Sequence, residues 1–349
     1  MIIRVPARSL CRRVLFYLVS ITVAVFAIAG TARSDEEQAY ILATATTGGT
    51  YYPVGVALAT LTKVKLQPER NISLTAVTSA GSGENVRLLR ENQAQFAIIQ
   101  GLFGAWAWSG TGALADQEPA TDLRSVSALW RNVEHFTVLS EYVADGTISD
   151  MAGMAGRRFA IGAHDSGAAG SGRTILAGLG MDPDAVLELV HLDYGASVDA
   201  LLDGTIVGMN TPTGVPSPPV TRAAAALGDR IRVLDVTDAE LAQVNARAGA
   251  ELWSRHVIPA GTYPGQAAEI RTIAQPNFLA VRDDVDADAV YEITRTMYEN
   301  LGFLQAIHPS TNDMNLDHAL AGLPFPLHPG ALRYYREQGL TVPPHLSAD

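Results

Sequence analysis

Short apolar runs alternate with stretches of helical periodicity along most of this chain. Tyr40 to Ala43 is a strand-like run, Ala45 to Gly55 is rich in small residues, and Val56-Ala57-Leu58-Ala59-Thr60-Leu61 has helical spacing. The order is strand, glycine turn, helix, with Gly48 and Gly49 expected to take positive φ and let the backbone approach a guest. The pattern then repeats. Ile72 to Val77 alternates like a strand, Thr78 to Asn85 is a second small-residue turn, and Val86, Leu88 and Leu89 open a helix for which Ser82 reads as the N-cap. Turns of this kind aim free N–H groups and the positive end of a helix dipole at whatever fills them, and an anion is the natural guest.

The same alternation continues. Phe96 to Ile99 reads as a strand ending at Gln100, followed by a helix from Leu102 to Trp108 in which Trp106 and Trp108 are packing residues, with room for one to wall a pocket. Ser125 to Trp130 and His135 to Ser140 read as strands. The polar step between them, Arg131-Asn132-Val133-Glu134, is where the chain is expected to cross to a second lobe. There Arg157 to Gly162 is a strand, Ala163 to Gly172 a turn, and Arg173 to Leu179 a helix, which puts Arg173 in a first turn. A cation there opposes the helix dipole; a head group in water and a ligand carboxylate beside it explain this equally well. Leu187 to Leu192, Thr205 to Met209 and Ile231 to Leu234 read as strands; Gly195 to Leu202, Val220 to Leu227 and the stretch from Asp238 read as helices. Ile273 to Val281 is a long strand returning to the first lobe, and Asp286 to Asn300 is an amphipathic helix. Strands alternating with helices give an α/β class.

Several of these stretches together resemble the TAXI family, the extracytoplasmic solute receptors of one class of TRAP transporter. The resemblance rests on GGTYYPVG from Gly48, TSAGSGENVRLL from Thr78, Gln93 to Gln100, Pro326 to Ala331 and Tyr334 to Gly339, and spans roughly Gln38 to Gly339. It implies a two-lobed periplasmic binding protein of type II-like architecture, each lobe a helix-flanked sheet, with the ligand in the cleft. The expected division is a signal peptide at 1–32, one lobe from 33–133 plus 257–349, and another from 134–256. The segment from Pro324 to Gly339 looks like the family's closing piece over the first lobe, with His328 structural in it. The resemblance further implies delivery of the solute to a sodium-coupled membrane permease.

Composition narrows the classes. Residues 1–32 carry Arg4, Arg8, Arg12 and Arg13 ahead of an apolar run from Val14 to Ala29, then Gly30-Thr31-Ala32, the layout of a secretory signal cut after Ala32; a retained anchor is the other reading. Of 25 basic residues that segment takes four, leaving 21 against 36 acidic ones, a balance unsuited to nucleic acid or anionic membranes. The single cysteine, Cys11, lies in the same segment, so the remainder has neither disulfide nor thiolate metal site nor cysteine nucleophile. No serine sits in Gly-x-Ser-x-Gly, no phosphate-binding Gly-x-x-x-x-Gly-Lys occurs, and the eight histidines include no HExxH pair.

The expected function is therefore capture of a small carboxylate by lobe closure in the periplasm by a monomer, without enzymatic activity, cofactor or metal. The guest is glutamate, another amino acid, or a dicarboxylate such as 2-oxoglutarate. Candidate ligand residues are Gly49, Thr50, Tyr51, Gly81, Ser82 and Gln100 in the first lobe. In the second they are Ser166, Gly167, Ala168, Gly170, Ser171, Arg173, Asn210, Gly214 and Pro216. A ligand-sensing accessory of a signalling system is the alternative within the fold, and a serine hydrolase using Ser166 or Ser171 the alternative outside it.

Overall fold

The computed structural model describes Met1 and residues 37–347; the expected signal segment lies outside the described residues. Strand β1 (Gln38–Ala43) leads into α1 (Tyr51–Arg70), β2 (Ile72–Val77) into α2 (Ser82–Arg90), and β3 (Phe96–Gln100) directly into α3 (Gly101–Ser109). Then come β4 (Leu123–Val133), β5 (Phe136–Leu139), β6 (Arg158–Ala160), α4 (Gly167–Gly178), α5 (Pro183–Val186), β7 (Glu188–Val190) and α6 (Tyr194–Leu202). The chain continues through β8 (Gly208–Asn210), α7 (Pro218–Leu227), β9 (Ile231–Val233), α8 (Asp238–Ala248), β10 (Ser254–Ile258) and β11 (Ile270–Arg282). It closes with α9 (Ala287–Glu299), α10 (Leu301–Gln305) and α11 (Pro329–Glu337). None of the helices among the described residues is long and apolar enough to cross a membrane.

The strands form two sheets. One has six strands, ordered β10-β11-β3-β1-β2 with β4 on the other side of β11; the other has five, ordered β7-β6-β8-β5-β9. Each contains a parallel set of three: β1 with β2 and β3 in the first, and β6 with β7 and β8 in the second. Parallel neighbours put several strand ends, and the helices that come after them, on one edge. Residues Gln38–Asp349 make one compact unit, so the two sheets belong to a single body.

The chain passes from the first sheet to the second at Glu134-His135, because β4 stays paired with β11 as far as Val133. The expected crossing at 131–134 thus falls mostly inside a strand. The largest core packs α1, α9 and α11 on the first sheet around Phe96, Phe278, Trp130 and Tyr335. Trp108 stacks on Phe325 and Trp106 meets Phe103 edge-on. His328 caps α11, accepting from the Gly330 amide, and the Tyr335 hydroxyl donates to the Val126 carbonyl at 2.9 Å, which ties the C-terminal segment to β4.

Helix α4 differs most from expectation. It begins at Gly167, with the Ser166 hydroxyl accepting from the Ala169 amide, so the Gly-Ala-Ala-Gly-Ser-Gly stretch is helix rather than turn. Glycine is a poor helix former in isolation, but here it lets the helix touch its neighbours. A Cβ on Gly167 would stand 2.5 Å from the Gln100 side chain, and one on Gly170 2.4 Å from Phe103. Arg173 is consequently well inside the helix and not in its first turn.

Helix α3 lies equally close to the first sheet. A Cβ on Gly104 would come within 2.7 Å of Phe278 and 2.6 Å of Pro324. Gly104→Ala is expected to lose about 1–3 kcal/mol of stability by overpacking, against the small gain an alanine brings to an open helix; urea unfolding measures the sign.

Candidate functional site

The carboxyl ends of β1, β2 and β3 face those of β6, β7 and β8 across a cavity of about 50 Å3. One water requires roughly 10–15 Å3 by the same measure, so the space exceeds a single water and suits a compact guest. The first sheet contributes Gly49, Thr50 and Tyr51 at the start of α1, Gly81 and Ser82 at the start of α2, Gln100 before α3, and Asn132 on β4. The second contributes Ser166, Gly167 and Ala168 at the start of α4, Asp193 and Tyr194 at the start of α6, and Pro212-Thr213 beyond β8.

Five helices thus start at one cavity. First-turn amides have no acceptor within their own helix, and those of Tyr51, Ser82, Gly167 and Ala168 donate to no other part of the described chain. Thr50 does not use its side chain as a cap on α1; its hydroxyl instead pairs with Thr213 Oγ1 at 3.0 Å and accepts from the Gly214 amide at 3.2 Å. Two of the helices thereby keep donors for a guest while their polar side chains bridge to the opposite wall or to the sheet. The Ser82 hydroxyl likewise accepts from the Gln100 amide, and the residue at the N-cap is Gly81, not Ser82.

Glycines set how close the walls come. Gly81 has φ 122°, ψ −151°, a backbone region essentially confined to glycine. Gly48 and Gly49 are not among the positive-φ residues, contrary to expectation. Their smallness is used for contact: Cβ atoms there would lie 3.3 and 3.2 Å from Tyr194. The Tyr194 hydroxyl in turn donates to the Pro212 carbonyl at 2.6 Å, and the Tyr51 hydroxyl to Asn277 Oδ1 at 2.5 Å.

Among the described residues, no lysine or arginine lines the cavity, and the one carboxylate there is Asp193, which accepts from the Ala196 amide as the N-cap of α6. Burial pushes the Tyr51 and Tyr194 phenols above their ordinary range, so both stay neutral, and the nearby Glu134 carboxyl adds to the effect. Glu134 itself is fully buried. Desolvation raises it to about 7, opposed first by hydrogen bonds from Trp253 Nε1 and Ser171 Oγ and then by the nearby Gln275 and Asn210 amides. Among the described residues, no three His, Cys, Asp or Glu side chains converge to hold a metal ion.

Nine of the expected ligand residues line this cavity: Gly49, Thr50, Tyr51, Gly81, Ser82, Gln100, Ser166, Gly167 and Ala168. Six do not. Gly170 faces Phe103 on the far side of α4. Ser171 is turned inward to Glu134 Oε2 (3.3 Å) and the Ala168 carbonyl (3.4 Å), and Asn210 Nδ2 donates to the same carbonyl at 3.1 Å, so both lie one layer behind the wall. Arg173 forks onto Asp184 at the surface and holds that carboxyl below its usual range. Gly214 is spent on the Thr50 contact, and Pro216 accepts from His308 Nε2. Neither serine hydroxyl has an imidazole partner: Ser166 donates to the Ala163 carbonyl, and Ser171 faces a carboxylate.

Thr213, in the loop expected beyond the strand that ends near Asn210, lines the cavity too, and Asn132, Asp193 and Tyr194 line it without having been expected. Asp193 was findable as an N-cap before the helix that begins at Tyr194. Asn132 lay in the polar step assigned to the crossing.

The NMT1-like family model matches residues 42–339. Among solved structures, MatC from Rhodopseudomonas palustris with bound malate is similar at a TM-score of 0.50, with 14% identity over 86% of this chain and 96% of that one. The binding protein component of an ABC phosphonate transporter from Pseudomonas aeruginosa gives 0.48, with 8% identity over 79% of each chain. The alkanesulfonate-binding protein SsuA from Xanthomonas axonopodis pv. citri bound to MOPS gives 0.44, with 13% identity over 87% and 91%. At such identities the likeness is one of fold, two helix-flanked sheets with their strand ends facing.

Glu134 makes the stability of this region depend on pH. Its carboxyl titrates near 7 in the fold against 4.5 for the exposed group. Between those values the folded chain holds the proton that the unfolded chain has lost, so stability falls as pH rises through that window. Glu134→Gln removes the titration. The variant is expected to gain on the wild type between pH 4.5 and 7 by on the order of 3 kcal/mol; a constant difference in urea unfolding across that range would contradict the assignment.

Proposed function

The chain belongs to the NMT1-like family, and on that premise we propose that it is a periplasmic solute-binding protein that captures a small carboxylate between its two sheets. The observation that carries this reading is the convergence of free first-turn amides from α1, α2 and α4, drawn from both sheets, on a cavity with no basic side chain among the described residues. Helix N-termini solvate an anion with fixed dipoles. Enclosing it between two walls removes water and strengthens those contacts. The contacts between Thr50 and Thr213-Gly214, and between Gly48-Gly49 and Tyr194, join the walls next to the guest. A guest that bonds to both walls favours the closed arrangement over any open one, which is a population shift.

The finer assignment is a TAXI-type receptor that hands its solute to a sodium-coupled permease, supported by the motifs at Gly48, Thr78, Pro326 and Tyr334. The cavity volume favours a compact acid, an amino acid or a small dicarboxylate. MatC, whose fold this chain shares, holds malate, an acid of that kind. The acidic net charge argues against nucleic acid or an anionic membrane as the partner.

A thermal-shift panel of carboxylates, neutral sugars and amines tests this. A carboxylate at 100 times its Kd should add about 2.7 kcal/mol to stability. Stabilisation by a neutral or cationic compound, with none from any carboxylate, would overturn the reading.

A further inference from the structure

Behind the cavity wall lies a buried acid that the anion reading does not use. Glu134 is the last residue before the chain leaves the first sheet. Its amide donates to the Ile273 carbonyl at 2.9 Å and its carbonyl accepts from Thr272 Oγ1 at 2.8 Å, so its backbone is clamped to β11. Its side chain reaches across to Ser171 on α4 and to Trp253 Nε1, each at 3.3 Å. Ser171 and Asn210 both bond to the Ala168 carbonyl, and Ala168 lines the cavity. The carboxyl is therefore linked through Ser171 to a residue of the cavity wall.

Among the described residues, no cation answers it. The groups that act on it are Trp253 before β10, Ser171 on α4, Gln275 on β11 and Asn210 on β8, all neutral. Tyr51 on α1 and Tyr194 on α6 feel its charge, and both are protonated. The adjacent His135 is bonded to the Val133 carbonyl and the Tyr263 hydroxyl, and burial lowers it to about 4; His256, which faces it, is lowered to about 4 as well, so both rings are neutral. The acid that does line the cavity, Asp193, is exposed at its rim. The polar layer also has two open positions: Asn210 Oδ1 is buried without a donor and Gln275 Nε2 without an acceptor. A carboxylate can only accept, whereas a carboxylic acid can both donate and accept.

We propose that Glu134 takes up a proton from solvent when the cavity takes a carboxylate, so that ligand capture and protonation of the sheet crossing are one linked event. Two negative charges cannot share a desolvated region with no cation between them. The neutral acid relieves the repulsion and adds a donor to the polar layer behind α4. By linkage, the guest then binds more tightly as pH falls through the range in which free Glu134 titrates. Glu134 acts through the layer behind the wall, as a positioning residue.

This inference rests on the anion reading, and calorimetry separates the two. The full chain is titrated with L-glutamate and with 2-oxoglutarate at pH 6 and 8.5, in buffers of different ionisation enthalpy. The expected result is uptake of up to one proton per ligand at pH 8.5, with affinity on the order of tenfold weaker there than at pH 6. In Glu134→Gln both effects should vanish. Ser171→Ala, which removes a donor to the charged form, should move the midpoint of the affinity profile to higher pH; this arm decides the matter even if the glutamine variant fails to fold. Binding without proton uptake, uptake that persists in Glu134→Gln, or an unmoved midpoint in Ser171→Ala overturns the proposal. Failure of every carboxylate to bind overturns the anion reading and this inference with it.

Discussion

A negative charge taken out of water must be solvated by something, and a cavity lined by neither lysine nor arginine leaves backbone amides as the means. Amides can do this only if several helices begin at the same spot, and the topology supplies that condition. Parallel strands in both sheets end on one edge each, and each edge faces the other. Fixed dipoles held by sheet and helix would need no side-chain reordering to receive an anion, whereas a long cationic side chain would lose rotamer freedom on binding.

Small residues make the approach possible. Gly167 sits against Gln100, Gly48 and Gly49 against Tyr194, and Gly81 takes a backbone conformation that side-chain-bearing residues avoid. Each would be a defect in an isolated helix or loop. Together they let one wall touch the other at the level of the backbone. The layer behind is polar as well: Glu134, Ser171, Asn210 and Gln275 join α4, β8 and β11 around the point where the chain changes sheets. The wall that meets the guest and the joint between the sheets are thus parts of one hydrogen-bonded structure.

Much of this was legible in the sequence, and the failures have a common cause. The strand-turn-helix order around Gly48 and Gly81 depends on local pattern and turn chemistry, and β2, β3, α1 and α2 lie close to where periodicity places them. Helix α4 was missed at its start because glycine propensity argues for a turn, while the packing against Gln100 and Phe103 that requires those glycines comes from another part of the chain. The same error gave Arg173 a first-turn role. The burial of Glu134 depends on Trp253, 119 residues away, and on β11 beyond it, which no local window contains. Ser171 and Asn210 stand one layer behind the residues that line the cavity. Periodicity reports which side of an element faces inward, and does not distinguish the wall of a cavity from its support.

Amide chemical shifts tracked during ligand titration address the central claim at the atoms it concerns. With an acid that raises the melting temperature, the 15N–1H resonances of Tyr51, Ser82, Gly167 and Ala168 should move together and downfield to saturation, since each donates to the incoming charge. Shifts confined to one wall, or centred away from these four amides, would contradict the account.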